Sequence, residues 1–298
     1  MNKKLLFIIV LNFNFIFCNF EFVTPWGKCI LQNDEKSINN QELSSLIINK
    51  IKKLDKLYGP IKKKSFSIII YPIQNHNLNI NNNHWKWSLG ITYYNDKIII
   101  KDMAYAHINQ SKFIKVLEHE LNHLMVNRLT KINNVPRWFK EGFAMHVANE
   151  QSIRHKFLVS QAILTDNLFL LNDLNQFKNL NKDEFHLAYA QSIVYIENLV
   201  DIYGSNILTR IISELKNKVD FHEALLICTS HNIYQIEEKL TQNIKNKYFL
   251  LRFINVPNIL FSIMPLLLII GFIIKSYKVK KIKKRWAVEE ELEDLIKK

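Results

Sequence analysis

His119-Glu120-Leu121-Asn122-His123 reads HExxH, two imidazoles and a carboxylate within five residues. These are the parts of metal-assisted hydrolysis. The motif lies in SKFIKVLEHELNHLMVNRL (111–129), where Ile114, Leu117, Leu121 and Leu124 recur at helical spacing. On a helix, residues four apart stack one above the other, with Cβ atoms about 5–6 Å apart. Two such imidazoles reach one tetrahedral ion at about 2.0–2.1 Å per bond, the distance typical of zinc. Glu120, on the same turn, is placed to act as general base on an activated water without being a ligand. One Zn2+ is therefore the expected cofactor, inferred from ligand type.

A catalytic ion of this kind keeps three protein ligands and one open position. The third ligand should come from another element. VPRWFKEG (135–142) begins a helix with Pro in its first turn. It offers Glu141, with Gly142 and Ala144 small enough for close helix approach. Seventeen residues separate His123 from Glu141, enough to finish one helix, turn and return beside it.

HExxH followed at this spacing by PxWFxEGxA resembles the gluzincin-type zinc metallopeptidases of the peptidase MA-like group. The resemblance implies zinc on His119, His123 and Glu141, with Glu120 as catalytic base. Upstream, Trp87-Ser88-Leu89-Gly90 before KIIIK (97–101) resembles the group's strand bordering the cleft. Downstream, AYAQS (188–192) and LVDIYG (199–204) resemble its helical part. The likeness covers roughly residues 45–247. In such enzymes a Tyr or His beyond the ligands stabilises the oxyanion, which implies catalytic Tyr189 here, or His186 in its place. Leu89 and Gly90 are expected to offer edge backbone to an extended peptide.

The elements that must position these groups change type along the chain. SLIINKIKKLDKLYG (45–59) has helical spacing and a Gly-Pro stop. SFSIIIY (65–71), WKWSLGITYY (85–94) and KIIIK (97–101) are β-branched or aromatic strands. From Ser111 the pattern is helical, through 111–129, 136–150, 187–204, 206–217 and 232–249. Strands first and helices afterwards imply an α+β fold. A small mixed sheet should pack on the HExxH helix, with a helical subdomain after it. Glu118 and Asn122 are expected on the surface or just behind the ligands, His146 in a structural role, and Trp138, Phe139 and Phe143 in the core.

Two flanking segments set the topology. Residues 1–19 carry Lys3 and Lys4 before an apolar run, the pattern of a signal peptide or N-terminal anchor. Residues 254–274 are apolar, about the length that spans a bilayer. Seven basic residues come next, between Lys275 and Arg285, and the tail 275–298 ends acidic. The positive-inside rule places that tail in the cytoplasm and the domain, 20–250, outside it, at the cell membrane. Much of the net charge of +13 thus flanks apolar segments, which disfavours nucleic acid as a partner. An intramembrane protease is excluded because the HExxH segment carries Lys115, Glu118, Asn122, Asn127 and Arg128. Three cysteines without a CxxC argue against a thiolate zinc site; Cys29 and Cys228 are candidates for a disulfide.

The expected activity is peptide-bond hydrolysis on peptides or membrane-associated proteins. Two other classes share these features: an inactive zinc-binding module that reads peptides, and a membrane scaffold acting through its cytoplasmic tail.

Overall fold

Short runs of isoleucine and aromatic residues build one five-stranded sheet. The computed structural model describes residues 19–33, 37–71, 87–94, 96–130, 135–175, 177, 180–248 and 256–296. The signal-type segment expected at 1–19 lies outside them up to residue 18. Two compact units are present, one up to Lys247 and one from Tyr248.

In the first unit, β1 (Asn19–Thr24) and β2 (Gly27–Gln32) form an antiparallel hairpin. Helix α1 (Asn40–Tyr58) leads to β3 (Phe66–Tyr71), then β4 (Gly90–Tyr93) and β5 (Lys97–Lys101). The strand order is β1-β2-β3-β5-β4. β2 and β3 are parallel, as are β3 and β5, whereas β4 runs antiparallel to β5 and forms an edge. Consecutive Ile98, Ile99 and Ile100 are all buried, so both faces of the sheet are covered at β5.

The hairpin turn shows how the sheet closes. Gly27 sits at φ +121, and a Cβ there would stand 2.6 Å from the Lys64 carbonyl oxygen. Only glycine takes that conformation and that approach without strain. Trp26 is fully buried and donates from Nε1 to Asp55 Oδ1 of α1 at 2.6 Å.

A short α2 (Met103–Ala106) precedes α3 (Gln110–Leu129), capped by Asn109, whose side chain accepts from Lys112 N at 2.9 Å. Helices α4 (Arg137–Val147), α5 (Ile153–Leu164), α6 (Lys182–Tyr203), α7 (Ile207–Lys216), α8 (Phe221–Thr229) and α9 (Ile233–Lys247) complete the unit. Asn181 and Glu184 form a reciprocal capping box at the start of α6. Gly142 of α4 is where α4 and α6 touch: a Cβ there would lie 2.3 Å from Ser192 O. Trp138, Phe139 and Phe143 fill the core beside it.

The architecture is the expected α+β, a five-stranded mixed sheet with helices after it. Five elements exceed the sequence reading: β1, β2, α2, α5 and α8. The strand expected at 85–94 shortens to β4; of its residues, 85 and 86 lie outside the described ones. Of the two positions expected for Glu118 and Asn122, the surface is excluded, since they are 3% and 0% exposed. Glu118 is buried because Lys50 and Lys53 of α1 neutralise it, at 2.7 and 2.6 Å. Cys29 and Cys228 are both buried free thiols, so no disulfide links them.

Among its described residues the second unit holds one helix, α10 (Val256–Ile296), with Pro265 inside it. Among the described residues no helix is long and apolar enough to cross a membrane. The span expected at 254–274 therefore finds no support there. The charged tail is helical to Ile296, within the same α10.

Candidate metal centre

The helical register of α3 puts His119 and His123 on one face, with Nε2 atoms 3.0 Å apart. Helix α4 returns alongside and brings Glu141 Oε2 to 3.4 Å from His119 Nε2 and 3.3 Å from His123 Nε2. A tetrahedral ion with bonds of about 2.0–2.1 Å needs ligand atoms about 3.3 Å apart. The three donor atoms therefore already stand at the edge lengths of one face of such a tetrahedron. Among the described residues, His119, His123 and Glu141 are the group able to hold a metal ion. Two imidazoles and a carboxylate are donors suited to zinc.

Carboxylates surround this face. Glu150, just beyond α4, places Oε2 3.4 Å from His119 Nδ1, the nitrogen turned away from the Glu141 side. Its other oxygen is engaged by Lys112 at 3.1 Å. Burial lowers the affinity of His119 for a proton, but Glu141 and Glu150 more than reverse this and raise it to about 10. Burial works against the Glu141 carboxylate too, yet His123, His119 and Arg137 hold it well below the usual range. The field that favours positive charge here is the field that favours a divalent cation.

Glu120 is held from the sheet side. Thr92 Oγ1 of β4 lies 2.6 Å from Glu120 Oε2 and 3.0 Å from the Glu120 carbonyl oxygen. Two residues earlier on β4, Gly90 leaves the space the carboxylate fills: a Cβ there would stand 2.6 Å from Oε1. Burial raises the Glu120 carboxyl, while the two histidines and Thr92 pull the other way; the net shift is upward. An elevated carboxyl is better matched to proton transfer near neutral pH.

The edge strand is available to a peptide, with one correction. Lys101 N donates to Leu89 O at 2.8 Å, so the Leu89 carbonyl is already used inside the sheet. By the alternation of an antiparallel pair, the N–H and C=O groups of Gly90 and Thr92 point out from the edge. The edge backbone is therefore offered by Gly90 and Thr92, not by Leu89.

Tyr189 and His186 both line the same cavity as the ligands and Glu120, a cleft of about 1060 Å³. Tyr189 packs on Phe185 and Phe177, with ring centroids at 4.7 and 5.4 Å. Burial first, and Glu141 second, push its hydroxyl well above the ordinary value, and Arg137 hydrogen-bonds to it. It stays a protonated donor at neutral pH. Arg137 also donates from Nε to Glu141 Oε1 at 3.2 Å and lies 4.7 Å over the Phe177 ring. His146 keeps a buried Nδ1 without a partner among the described residues. Thr92, Glu150 and Arg137 escaped the sequence reading. Only Arg137, one turn before Glu141 on α4, carried a local signal.

The family profile agrees with this geometry: that of the Peptidase MA superfamily matches residues 47–246. Over 143 residues, 48% of this chain and 43% of the relative, the sequence is 25% identical to the uncharacterised protein YhcO of Bacillus subtilis (strain 168). An M1 zinc metallopeptidase variant of Deinococcus radiodurans, bound to a Tyr-Ser-Ala substrate, superposes with a TM-score of 0.44 at 11% identity. That match covers 73% of this chain and 48% of the other. Another M1 zinc metallopeptidase structure from that organism gives 0.39 at 11% identity, over 74% and 47%. This chain spans about half the length of those structures and less of YhcO. With the profile spanning most of its length and the His-His-Glu set gathered around one cleft, the chain belongs to the peptidase MA superfamily.

Proposed function

We propose that the domain is a zinc-dependent metallopeptidase that hydrolyses peptide bonds, with His119, His123 and Glu141 as ligands and Glu120 as base. One observation carries the reading: three donor atoms at tetrahedral edge distances lie beside a buried carboxylate fixed by Thr92. Zinc, when held there, supplies a Lewis acid that polarises the scissile carbonyl and acidifies water. Glu120 takes a proton from the attacking water and passes it to the leaving amide nitrogen. Thr92 keeps the carboxylate turned toward the ligands, and Gly90 leaves room for it. The outward N–H and C=O groups of Gly90 and Thr92 align an extended substrate by strand addition. The Tyr189 hydroxyl donates to the charge that develops on the carbonyl oxygen.

The test compares the full chain with its Glu120→Gln variant on a peptide library. Cleavage by the wild type, with a loss of about 10²–10⁴-fold in the variant and unchanged zinc content, supports the reading. Equal cleavage by both would overturn the role of Glu120.

The same proposal includes a membrane tether, with the domain outside the cytoplasm. It is supported by the apolar run 254–274 and the seven basic residues after it. The tether in turn implies membrane-associated substrates. If residues 1–250, expressed alone, remained in the alkali-washed membrane fraction as fully as the whole chain does, the tether would be elsewhere.

A further inference from the structure

The cleft is not electrically uniform. Its acids are engaged: Glu141 faces both histidines and Arg137, Glu150 faces Lys112 and His119, and Glu120 faces Thr92. Lys112 and Arg137 are consumed in those pairs. Arg154 is different. It lines the same cleft from the first turn of α5, is exposed, and makes no ion pair among the described residues. His155, next to it, and His186, in the first turns of α6, line the cleft as well. His155 keeps a buried Nδ1 that has no hydrogen-bond partner among the described residues. Burial is the main influence holding both imidazoles below their ordinary value, and the charge of Arg154 acts on each in the same direction. Two nearby acids act in the opposite direction, Glu150 on His155 and Asp183 on His186, and Glu150 is itself bound by Lys112.

This basic cluster sits at a defined end of the cleft. Phe185 precedes His186 and packs against Trp87, with ring centroids 5.4 Å apart. Trp87 lies just before β4, whereas Tyr93 and Tyr94 line the cleft at the other end of that strand. A peptide laid along β4 therefore passes Glu120 in the middle and reaches an aromatic floor and Arg154 at one end.

We propose that Arg154, flanked by His155 and His186, forms a carboxylate-binding subsite at the Trp87 end of the cleft. It selects substrates that carry there an acidic side chain or a free C-terminal carboxylate. The guanidinium fork matches a carboxylate in geometry and charge, and the apolar floor excludes water from one side of the pair. The inference rests on the peptidase reading for where the peptide lies.

The test uses the full chain and matched peptides that differ by Glu against Gln at each position around the cleaved bond, and by free acid against amide at the C-terminus. The wild type is expected to favour the acid about tenfold in kcat/KM. Preference confined to internal Glu marks a side-chain carboxylate as the ligand; preference confined to the free acid marks the terminus. Arg154→Gln is expected to bring the acid-to-amide ratio near one. Arg154→Glu is expected to turn the preference toward Lys-containing peptides, which damage to the fold would not produce. Equal rates for acid and amide peptides in the wild type, or an unchanged ratio in both variants, would overturn the subsite. If no peptide of any charge is cleaved, the peptidase reading fails instead. The subsite is then decided by binding of the same peptide pairs to the full chain, with equal affinity for acid and amide overturning it.

Discussion

At the scale of single residues, the proposed hydrolysis depends on how Glu120 and His119 are held. Gly90→Ala introduces a Cβ 2.6 Å from Glu120 Oε1, so the carboxylate must move. Peptide hydrolysis should fall by at least about tenfold while zinc content stays at the wild-type level. Parallel loss of metal would mean that Gly90 supports the ligands and not the base. Glu150→Gln removes the charge facing His119 Nδ1. Groups that orient a metal-bound histidine are worth about 10–100-fold in affinity, so zinc should dissociate that much more readily in a chelator competition. An unchanged affinity would make Glu150 a partner of Lys112 alone. These residues also show where sequence reading stops. His119, Glu120, His123 and Glu141 were legible because a helix converts spacing into geometry. Thr92 meets Glu120 across 28 positions, a contact created by strand order. The burial of Glu118 was not legible, because it depends on α1 arriving with Lys50 and Lys53.

At the scale of elements, two junctions keep the ligands together. Gly142→Ala forces α4 away from α6, since its Cβ would meet Ser192 O at 2.3 Å. Overpacking of this kind costs about 1–3 kcal/mol, measurable by urea denaturation, and it should weaken zinc binding because Glu141 precedes Gly142. The second junction is Arg128, at the end of α3. It donates from Nε to Asp96 at 2.7 Å and to the carbonyls of Trp26 and Lys64 at 3.2 and 3.0 Å. Arg128→Gln leaves Asp96 under-compensated and should destabilise the fold by about 3 kcal/mol. Burial alone would raise the Asp96 carboxyl, but hydrogen bonds from Lys64 and Arg128 prevail and lower it. A carboxylate lowered by folding contributes stability above its unfolded value of about 3.9. That contribution is lost as pH falls through the lower folded value. Asp96→Asn should therefore flatten the acid limb of the stability curve in that window; an unaltered limb would mean that Asp96 contributes no pH-dependent stability. The strand and helix types from α1 to α9 were largely legible because hydrophobic period changes from two to about 3.6 at Ser111. β1 and β2 were missed because NFEFVT and GKCILQ are only six residues each and lie between the N-terminal apolar run and the first helix. α8 was missed because its apolar residues cluster in ALLIC and do not form a stripe.

At the scale of the whole molecule, charge and hydropathy distinguish the first unit from the C-terminal helix. Unit one ends at Lys247, and the superfamily profile ends at residue 246. Beyond it, α10 presents described side chains that are apolar, then basic. On the proposed function, such a division makes hydrolysis and placement independent properties. Metal binding and hydrolysis should belong to the first unit, and cellular position to the second. Everything proposed for the first unit depends on His119, His123 and Glu141 holding one zinc ion. That is measured by zinc stoichiometry in native mass spectrometry on the full chain, for the wild type and for His123→Ala, Glu141→Gln and Glu120→Gln. One zinc per chain is expected in the wild type and in Glu120→Gln, and its loss in the other two. Retention of zinc by His123→Ala and Glu141→Gln, or no zinc in a folded wild-type chain supplied with it, would contradict the ligand assignment.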